Sequence, residues 1–202
     1  IDIMLAIDVS TSMLAEDLKP NRLEAAKDVA AEFINGRPND NIGITLFAGE
    51  TFTQCPLTVD HAVLLDMIHN IKCGLITDGT AMGIANAVTR LKDSKAKSKV
   101  IILLTDGTNN KGDISPMTAA EIAKSFGIRV YTIGVGTNGM APYPYPVGNT
   151  VQYVSMPVEI DEKTLTEIAG TTDGNYFRAT SNSKLKEVYE EIDKLEKTKL
   201  NV

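Results

Sequence analysis

The sequence predicts a single α/β domain: a doubly wound, Rossmann-like and mostly parallel sheet of six strands with helices on both faces. Three apolar runs, at residues 3–7, 100–104 and 130–133, show little alternation, which is typical of strands buried on both sides. Segments of helical periodicity lie between them. Their apolar positions are Leu23, Ala26, Ala30, Phe33, Ile34, Leu64, Leu65, Ile68, Ile71, Ile84, Ala87, Val88 and Leu91. This alternation of strand and helix predicts parallel βαβ units.

One pair of strands departs from the alternation. Residues 42–47 and 51–57 are both rich in β-forming side chains, but only residues 48–50 connect them. A crossover between parallel strands needs about a dozen residues, so these two strands are predicted to pair as an antiparallel hairpin. The second of them, strand 3, is then expected to be an antiparallel edge strand.

The C-terminal half carries helix start and stop signals. Pro116 fits the first turn of a helix predicted over residues 116–126. A second helix, capped by an aspartate, is predicted over residues 161–169. Residues 175–178 read as the last strand, and the apolar stripe of residues 181–197 predicts a closing helix.

Composition and charge narrow the class of protein. With 43% hydrophobic and 23% charged residues, the chain resembles an ordinary globule, and its length suits one domain over residues 1–202. The net charge of -6 and the lack of a basic run argue against a nucleic-acid partner. Its apolar runs are far shorter than the roughly 20 residues that cross a bilayer. Because Ile1 already belongs to a predicted strand, the chain is expected to be a domain cut from a longer protein.

Two other patterns carry little functional weight. Residues 134–139 match the glycine-rich dinucleotide fingerprint, but the proline-rich residues 140–144 cannot form the helix that receives a pyrophosphate, so NAD or FAD binding is not expected. Cys55 and Cys73 do not make a disulfide framework, and the pattern leaves open whether they pair or stay free.

The candidate site lies where the predicted strands end. Ligands of open α/β sheets bind beyond the carboxyl ends of the strands, and three polar segments follow strands or precede a helix there. If the strands at residues 3–7 and 100–104 are adjacent, these segments meet at one edge of the sheet. Their candidate residues are Asp8, Ser10, Ser12, Asp78, Thr80 and Asp106.

The donors in these segments are hard oxygen atoms. Two carboxylates, those of Asp8 and Asp106, repel each other when held close, so the site needs a cation or a protonated carboxyl group. Carboxylates and hydroxyls suit Mg²⁺ or Mn²⁺, with Ca²⁺ less favoured, whereas softer metals prefer sulfur or imidazole. Two carboxylates balance the charge of a divalent ion, whose retained water an incoming carboxylate can replace.

The pattern Asp8-x-Ser10-x-Ser12, with Thr80 in a Gly-Thr turn and Asp106 in Thr-Asp-Gly, resembles the metal-ion-dependent adhesion site (MIDAS) of von Willebrand factor A domains. The likeness covers roughly residues 1–197. It implies that the three hydroxyls ligate a metal directly and that the two carboxylates ligate it directly or through water. Taken singly, Ser12 or Thr80 could instead be a helix N-cap. Nearby Asp78 either supports Thr80 through a hydrogen bond or is a solvated turn residue.

Further details resemble bacterial, membrane-associated BatA-type proteins related to aerotolerance. The residues that carry this likeness are 55–57, 96–107 and 157–163. The resemblance implies a sheet order of 3-2-1-4-5-6 and membrane helices outside the A domain. It also implies attachment to a bacterial membrane through those flanking segments. The sequence leaves the side of the membrane open, and the periplasmic side is the working expectation.

The function expected from this site is metal-dependent binding of a protein partner that presents a carboxylate. No catalysis, small-molecule substrate or nucleic acid is expected. The alternative is a Mg²⁺-dependent phosphatase or phosphotransferase of Rossmann-like fold, in which an aspartate at a strand end is the nucleophile. Such enzymes place a second acid beside the nucleophile, where this chain has Ser10, and a lysine near the phosphoryl group, but no lysine follows Asp106 before Lys111.

Residues 137–157 are predicted to form a long irregular loop at the same edge of the sheet. Tyr143 and Tyr145, each followed by proline, are large and biased toward extended backbone, which suits contact with a partner. The competing interpretation is that this segment folds over the sheet edge as a hairpin and buries both tyrosines.

Overall fold

The computed structural model describes residues 1–48, 51–72, 80–106 and 115–200, and within them only the backbone of residues 51–54, 80–82 and 200. The strands are β1 (Asp2–Asp8), β2 (Asn41–Phe47), β3 (Thr51–Thr58), β4 (Lys99–Thr105), β5 (Ile128–Val135), β6 (Met140–Val147), β7 (Thr150–Pro157) and β8 (Tyr176–Ala179). The helices are α1 (Arg22–Asn35), α2 (His61–His69), α3 (Thr80–Leu91), α4 (Pro116–Ser125), α5 (Glu162–Thr171) and α6 (Asn182–Leu200).

Six strands form the main sheet in the order β3-β2-β1-β4-β5-β8. All neighbours run parallel except β3, which pairs antiparallel with β2 at one edge. The predicted doubly wound fold, its strand order and its antiparallel edge strand are therefore confirmed, with β8 as the sixth strand. Because β1 pairs with both β2 and β4, its carboxyl end lies in the middle of the row formed by the carboxyl ends of the parallel strands.

The two faces of the sheet bury separate apolar cores. On β1, Ile3, Leu5 and Ile7 face the core closed by α1, α2 and α6. Met4 and Ala6 face the second core, which α3, α4 and α5 cover. Burial on both faces explains why the strand reads as a continuous apolar run rather than an alternating one.

Residues 137–157 contain a second, two-stranded sheet, so their prediction as an irregular loop was wrong. Strands β6 and β7 pair antiparallel, from Met140 opposite Pro157 to Val147 opposite Thr150. Gly148 in the connecting turn has φ +59, which glycine adopts without strain and tight hairpin turns require. A strand, rather than a helix, follows residues 134–139, as the argument against a dinucleotide site expects.

None of the helices in the described parts of the chain is long and apolar enough to span a membrane.

Candidate metal centre

Asp8 is the last residue of β1 and is almost fully buried. Its Oδ1 accepts a hydrogen bond from the backbone N–H of Ser10 at 2.8 Å, and its Oδ2 accepts one from the Thr105 hydroxyl at 2.9 Å. Thr105 ends the neighbouring strand β4, so pairing of the two strands sets this contact. The carboxylate is held in one orientation with lone pairs still available.

The hydroxyls of Ser10 and Ser12 connect the two strand ends. Their Oγ atoms lie 2.9 Å apart, and the Ser12 hydroxyl donates to Oδ1 of Asp106 at 2.8 Å. Ser12 lies inside the short 3₁₀ turn Thr11–Leu14, and its hydroxyl reaches across 94 residues of sequence to the carboxylate. The alternative that Ser12 is only an N-cap is therefore wrong, and four of the predicted site residues lie together.

Thr80 is the first residue of α3, and the structure describes its backbone but not its side chain. This helix packs closely on the same edge, because a Cβ at Gly83 would lie 2.6 Å from Cδ1 of Phe47, the residue paired with Asp8. The absence of a side chain at Gly83 lets the first turn of α3 approach the strand ends. The predicted supporting residue Asp78 and the second cysteine, Cys73, lie outside the described residues.

The two carboxylates are an electrostatically costly pair. Burial, and then the charge of Asp106, raise the pKa of Asp8 from 3.8 to about 7. Burial also raises the pKa of Asp106, although Arg22 and the Ser12 hydroxyl oppose the rise. Two charged carboxylates are therefore disfavoured in the metal-free site, and the raised pKa values favour a proton or a cation beside them.

Two residues that the sequence did not single out, Arg22 and Asp17, complete the charge network. Arg22 Nη1 donates to Asp106 Oδ2 at 2.8 Å, while its Nε and Nη2 each bond a carboxylate oxygen of Asp17 at 2.7 Å. All three side chains are at most 3% exposed. Burial alone would lower the pKa of Arg22, but the bonds to Asp17 and the charge of Asp106 raise it, so the guanidinium stays charged. The sequence pattern predicts no more for Arg22 than a polar position at the start of an amphipathic helix.

The hairpin β6–β7 contacts this network. Arg22 Nη1 donates to the Tyr143 hydroxyl at 3.1 Å, and Cζ of Arg22 lies 5.4 Å from the centre of the Tyr143 ring. Asp17 also accepts a hydrogen bond from the Thr137 backbone N–H, at 2.9 Å, at the base of the hairpin. Tyr145 is 61% exposed. The interpretation as a hairpin is thus correct, but burial of both tyrosines is not, because only Tyr143 turns toward the site.

The raised pKa of Asp8 predicts how a metal would compete with protons. In the metal-free fold the charged form of Asp8 is disfavoured, so the free energy of unfolding should fall as the pH rises from about 4 to about 7. Metal binding must displace the proton, so Mg²⁺ affinity should rise roughly tenfold per pH unit below 7 and level off above it. Isothermal titration calorimetry between pH 5.5 and 8.5 measures this, and a flat profile would contradict it.

The comparisons with known proteins agree with the fold. The family model described as von Willebrand factor type A domain matches residues 2–191. A UPF0353 protein of Mycolicibacterium paratuberculosis is 32% identical over 208 residues, covering 95% of this chain and 59% of that protein. The chain thus spans about three fifths of the length of this relative.

Two solved structures from bacteria cover the chain almost completely. BatB from Bacteroides thetaiotaomicron has a TM-score of 0.83 at 32% identity, covering 98% of this chain and 99% of that chain. An aerotolerance-related membrane protein from Bacteroides fragilis NCTC 9343, carrying multiple mutations to serines, has a TM-score of 0.83 at 29% identity, with 96% and 97% covered. The family resemblance inferred from the motifs is confirmed.

A more distant structure shares the fold. Proximal thread matrix protein 1 from the mussel byssus, described with a zinc-occupied MIDAS motif, has a TM-score of 0.74 at 23% identity, covering 96% of this chain and 45% of that chain.

Proposed function

The chain belongs to the von Willebrand factor type A domain family, whose members commonly mediate protein–protein interaction, and from this premise we propose that it binds a protein partner through a divalent cation. Asp8, Ser10, Ser12 and Asp106, together with Thr80, would hold the cation. A carboxylate of the partner would complete its coordination. The proposed ion is Mg²⁺ or Mn²⁺.

One observation carries this proposal. Two nearly buried carboxylates at the ends of adjacent strands are joined through Ser10 and Ser12: the Ser10 backbone N–H donates to Asp8, the two serine hydroxyls bond each other, and the Ser12 hydroxyl donates to Asp106. The pair needs a positive charge beyond Arg22, as the raised pKa of Asp8 indicates. Burial and hydrogen bonding already hold these oxygen atoms in place, so the side chains lose little conformational entropy when an ion binds.

The donor chemistry fits a hard cation. The described side chains that meet here, those of Asp8, Ser10, Ser12 and Asp106, offer oxygen atoms and not the nitrogen and sulfur that structural zinc sites use. Carboxylate and hydroxyl oxygens favour Mg²⁺ or Mn²⁺. When bound, such an ion would supply an electrophilic centre at which a carboxylate can replace water.

The phosphatase alternative meets an obstacle at Arg22. Among the described residues its guanidinium is a buried cation beside Asp106, but bonds to Asp17, Asp106 and Tyr143 use most of its N–H donors, leaving little to bind a phosphoryl group. We therefore expect no Mg²⁺-dependent release of phosphate from p-nitrophenyl phosphate above a buffer blank. Turnover that disappears in the Asp8→Asn variant would instead support the enzyme.

The wider setting is also a proposal. Because the chain spans about three fifths of a curated relative, and a similar structure is that of a membrane protein, we place residues 1–202 as one domain of a longer membrane-anchored bacterial protein. The domain would face the periplasm and help to assemble a membrane complex.

The tyrosines of the hairpin are the proposed partner contacts, in two different roles. Exposed Tyr145 would contact the partner directly, whereas Tyr143 would position the hairpin through Arg22. Tyr145→Ser should weaken partner binding about tenfold with an unchanged melting temperature, since tyrosines at interface centres often contribute 1 kcal/mol or more. Tyr143→Phe should lower the melting temperature slightly. Undiminished binding by Tyr145→Ser would remove that residue from the interface.

Affinity capture tests the proposed function. The immobilised domain is incubated with detergent-solubilised bacterial membranes in Mg²⁺ or in EDTA, and retained proteins are quantified by mass spectrometry. We expect a partner retained in Mg²⁺, released by EDTA and not retained by Asp8→Ala. Asp28→Ala, the same substitution at an exposed position of α1, is the matched control and should behave as wild type. Partners retained equally in EDTA would contradict metal-dependent binding.

A further inference from the structure

The hairpin β6–β7 has two edges with different chemistry. Prolines occupy alternate positions of β6, at residues 142, 144 and 146, opposite Ser155, Tyr153 and Val151 of β7. Directly opposed residues in an antiparallel pair either exchange both hydrogen bonds or none, and proline has no N–H to give. The main-chain groups of these three proline pairs therefore point outward from the hairpin.

The outer edge of β6 is closed. Its outward positions are the prolines, which offer no donors to a further strand. In addition, the Pro142 carbonyl already accepts a hydrogen bond from the backbone N–H of Glu16 at 2.9 Å, and Ala141 is 1% exposed. The hairpin thus attaches to the body of the domain along β6.

The outer edge of β7 is open. By the same pairing rule, the N–H and C=O groups of Val151, Tyr153 and Ser155 face away from β6, and among the described strands β7 pairs with β6 alone. Every residue of β7 is exposed, and the strand contains no charged side chain. Soluble proteins usually protect such an edge with lysine, an internal proline or a bulge, none of which interrupts Thr150–Met156.

We propose that the outer edge of β7 pairs antiparallel with β7 of a second copy of this chain, making a four-stranded sheet across a two-fold axis. The open positions are centred on Tyr153, so the axis passes beside this residue and places Val151 opposite Ser155 of the other copy. Three opposed pairs then exchange about six main-chain hydrogen bonds.

Charge is the reason for choosing a second copy over a foreign strand. In this isologous antiparallel pair the residues nearest the axis, Gln152, Tyr153 and Val154, lie beside their own copies, where a charge would meet a like charge and destabilise the sheet. This uncharged strand avoids that cost although the chain carries a net charge of -6. Exposed apolar side chains, among them Val151, Val154 and Met156, would become covered on association. The pairing does not involve the metal-site residues, so it stands or falls independently of the proposed function.

Sedimentation equilibrium tests the proposal. In EDTA, the wild-type chain should shift with concentration from 21.8 kDa toward twice that mass. The double variant Val151→Pro, Ser155→Pro removes two outward N–H groups while leaving the bonds to β6, and should weaken the dimer at least tenfold. The matched double variant Val151→Ala, Ser155→Ala keeps those N–H groups and should stay within threefold of wild type.

A second variant guards against a proline-induced folding defect. Gln152→Lys, one residue from the axis, brings two ammonium groups near each other across the pairing and should also yield monomers, with a melting temperature close to that of the monomeric wild type. A wild-type chain that stays monomeric up to ~100 µM, a concentration that populates even weak specific dimers, would overturn the proposal. So would a dimer that survives in both the proline variant and Gln152→Lys, since it would use a different surface.

Discussion

Asp8→Ala is expected to abolish Mg²⁺ binding while the domain stays folded. Removing a hydrogen-bonded neighbour of a metal ligand typically costs 10–100-fold in affinity, so removal of a central carboxylate should cost ~100-fold or more. The metal-free variant should melt at the same temperature as wild type or higher, because it no longer buries a second carboxylate beside Asp106. Calorimetric titration gives the affinity, and thermal melts in Mg²⁺ and in EDTA give the stability.

The control for this prediction is Asp28→Ala, at an exposed position of α1 away from the strand ends. Wild type and control should both have a higher melting temperature in Mg²⁺ than in EDTA, because a ligand that binds only the folded state stabilises that state. Full Mg²⁺ affinity in Asp8→Ala would show that the ion binds elsewhere.

Arg22→Met should cause the largest loss of stability. It leaves the carboxylates of Asp17 and Asp106 buried without their cation, and removing one partner of a buried ion pair costs about 3–5 kcal/mol. Urea unfolding in EDTA measures the free energy of unfolding directly. The substitution keeps an unbranched side chain of similar length, so the loss reports on charge and hydrogen bonding more than on volume.

Lys186→Met is the matched control, because its ion pair with Glu32 is more than half exposed on both sides and should contribute at most about 1 kcal/mol. Arg22→Lys keeps the charge but cannot bond both Asp17 oxygens and Asp106 together, so it should fall between wild type and Arg22→Met. A loss of under 1 kcal/mol for Arg22→Met would mean that the network does not stabilise the fold.

The parts of the structure that sequence patterns predicted depend on periodicity and chain connection. The apolar runs of β1 and β4, and the short connection between β2 and β3, require a parallel sheet with one antiparallel edge strand. Once β1 and β4 are neighbours, Asp8 and Asp106 must end at the same edge. Four of the six candidate site residues are accordingly found together, whereas Asp78 and the side chain of Thr80 lie outside what the structure describes.

The parts that were missed, or were predicted only as one of two interpretations, depend on contacts between segments distant in sequence. The hairpin β6–β7 was one of two interpretations, because alternating prolines usually argue against a strand, although they fit an edge position when they all point one way. Arg22 and Asp17 look like ordinary helix and turn residues, and only the folded chain shows that they lie against Asp106. No periodicity in the sequence carries information on such a contact.

The most direct test of the account is a crystal of this chain grown or soaked with Mn²⁺ and measured with anomalous scattering. The account predicts one strong anomalous peak at the carboxyl ends of β1 and β4, about 2.0–2.3 Å from oxygens of Ser10, Ser12 and Thr80, with Asp8 and Asp106 ligating directly or through water. A crystal of the Asp8→Ala variant, prepared with Mn²⁺ in the same way, should lack the anomalous peak. An ordered site without anomalous density in wild type, or a peak bound by other residues, would contradict the central claim.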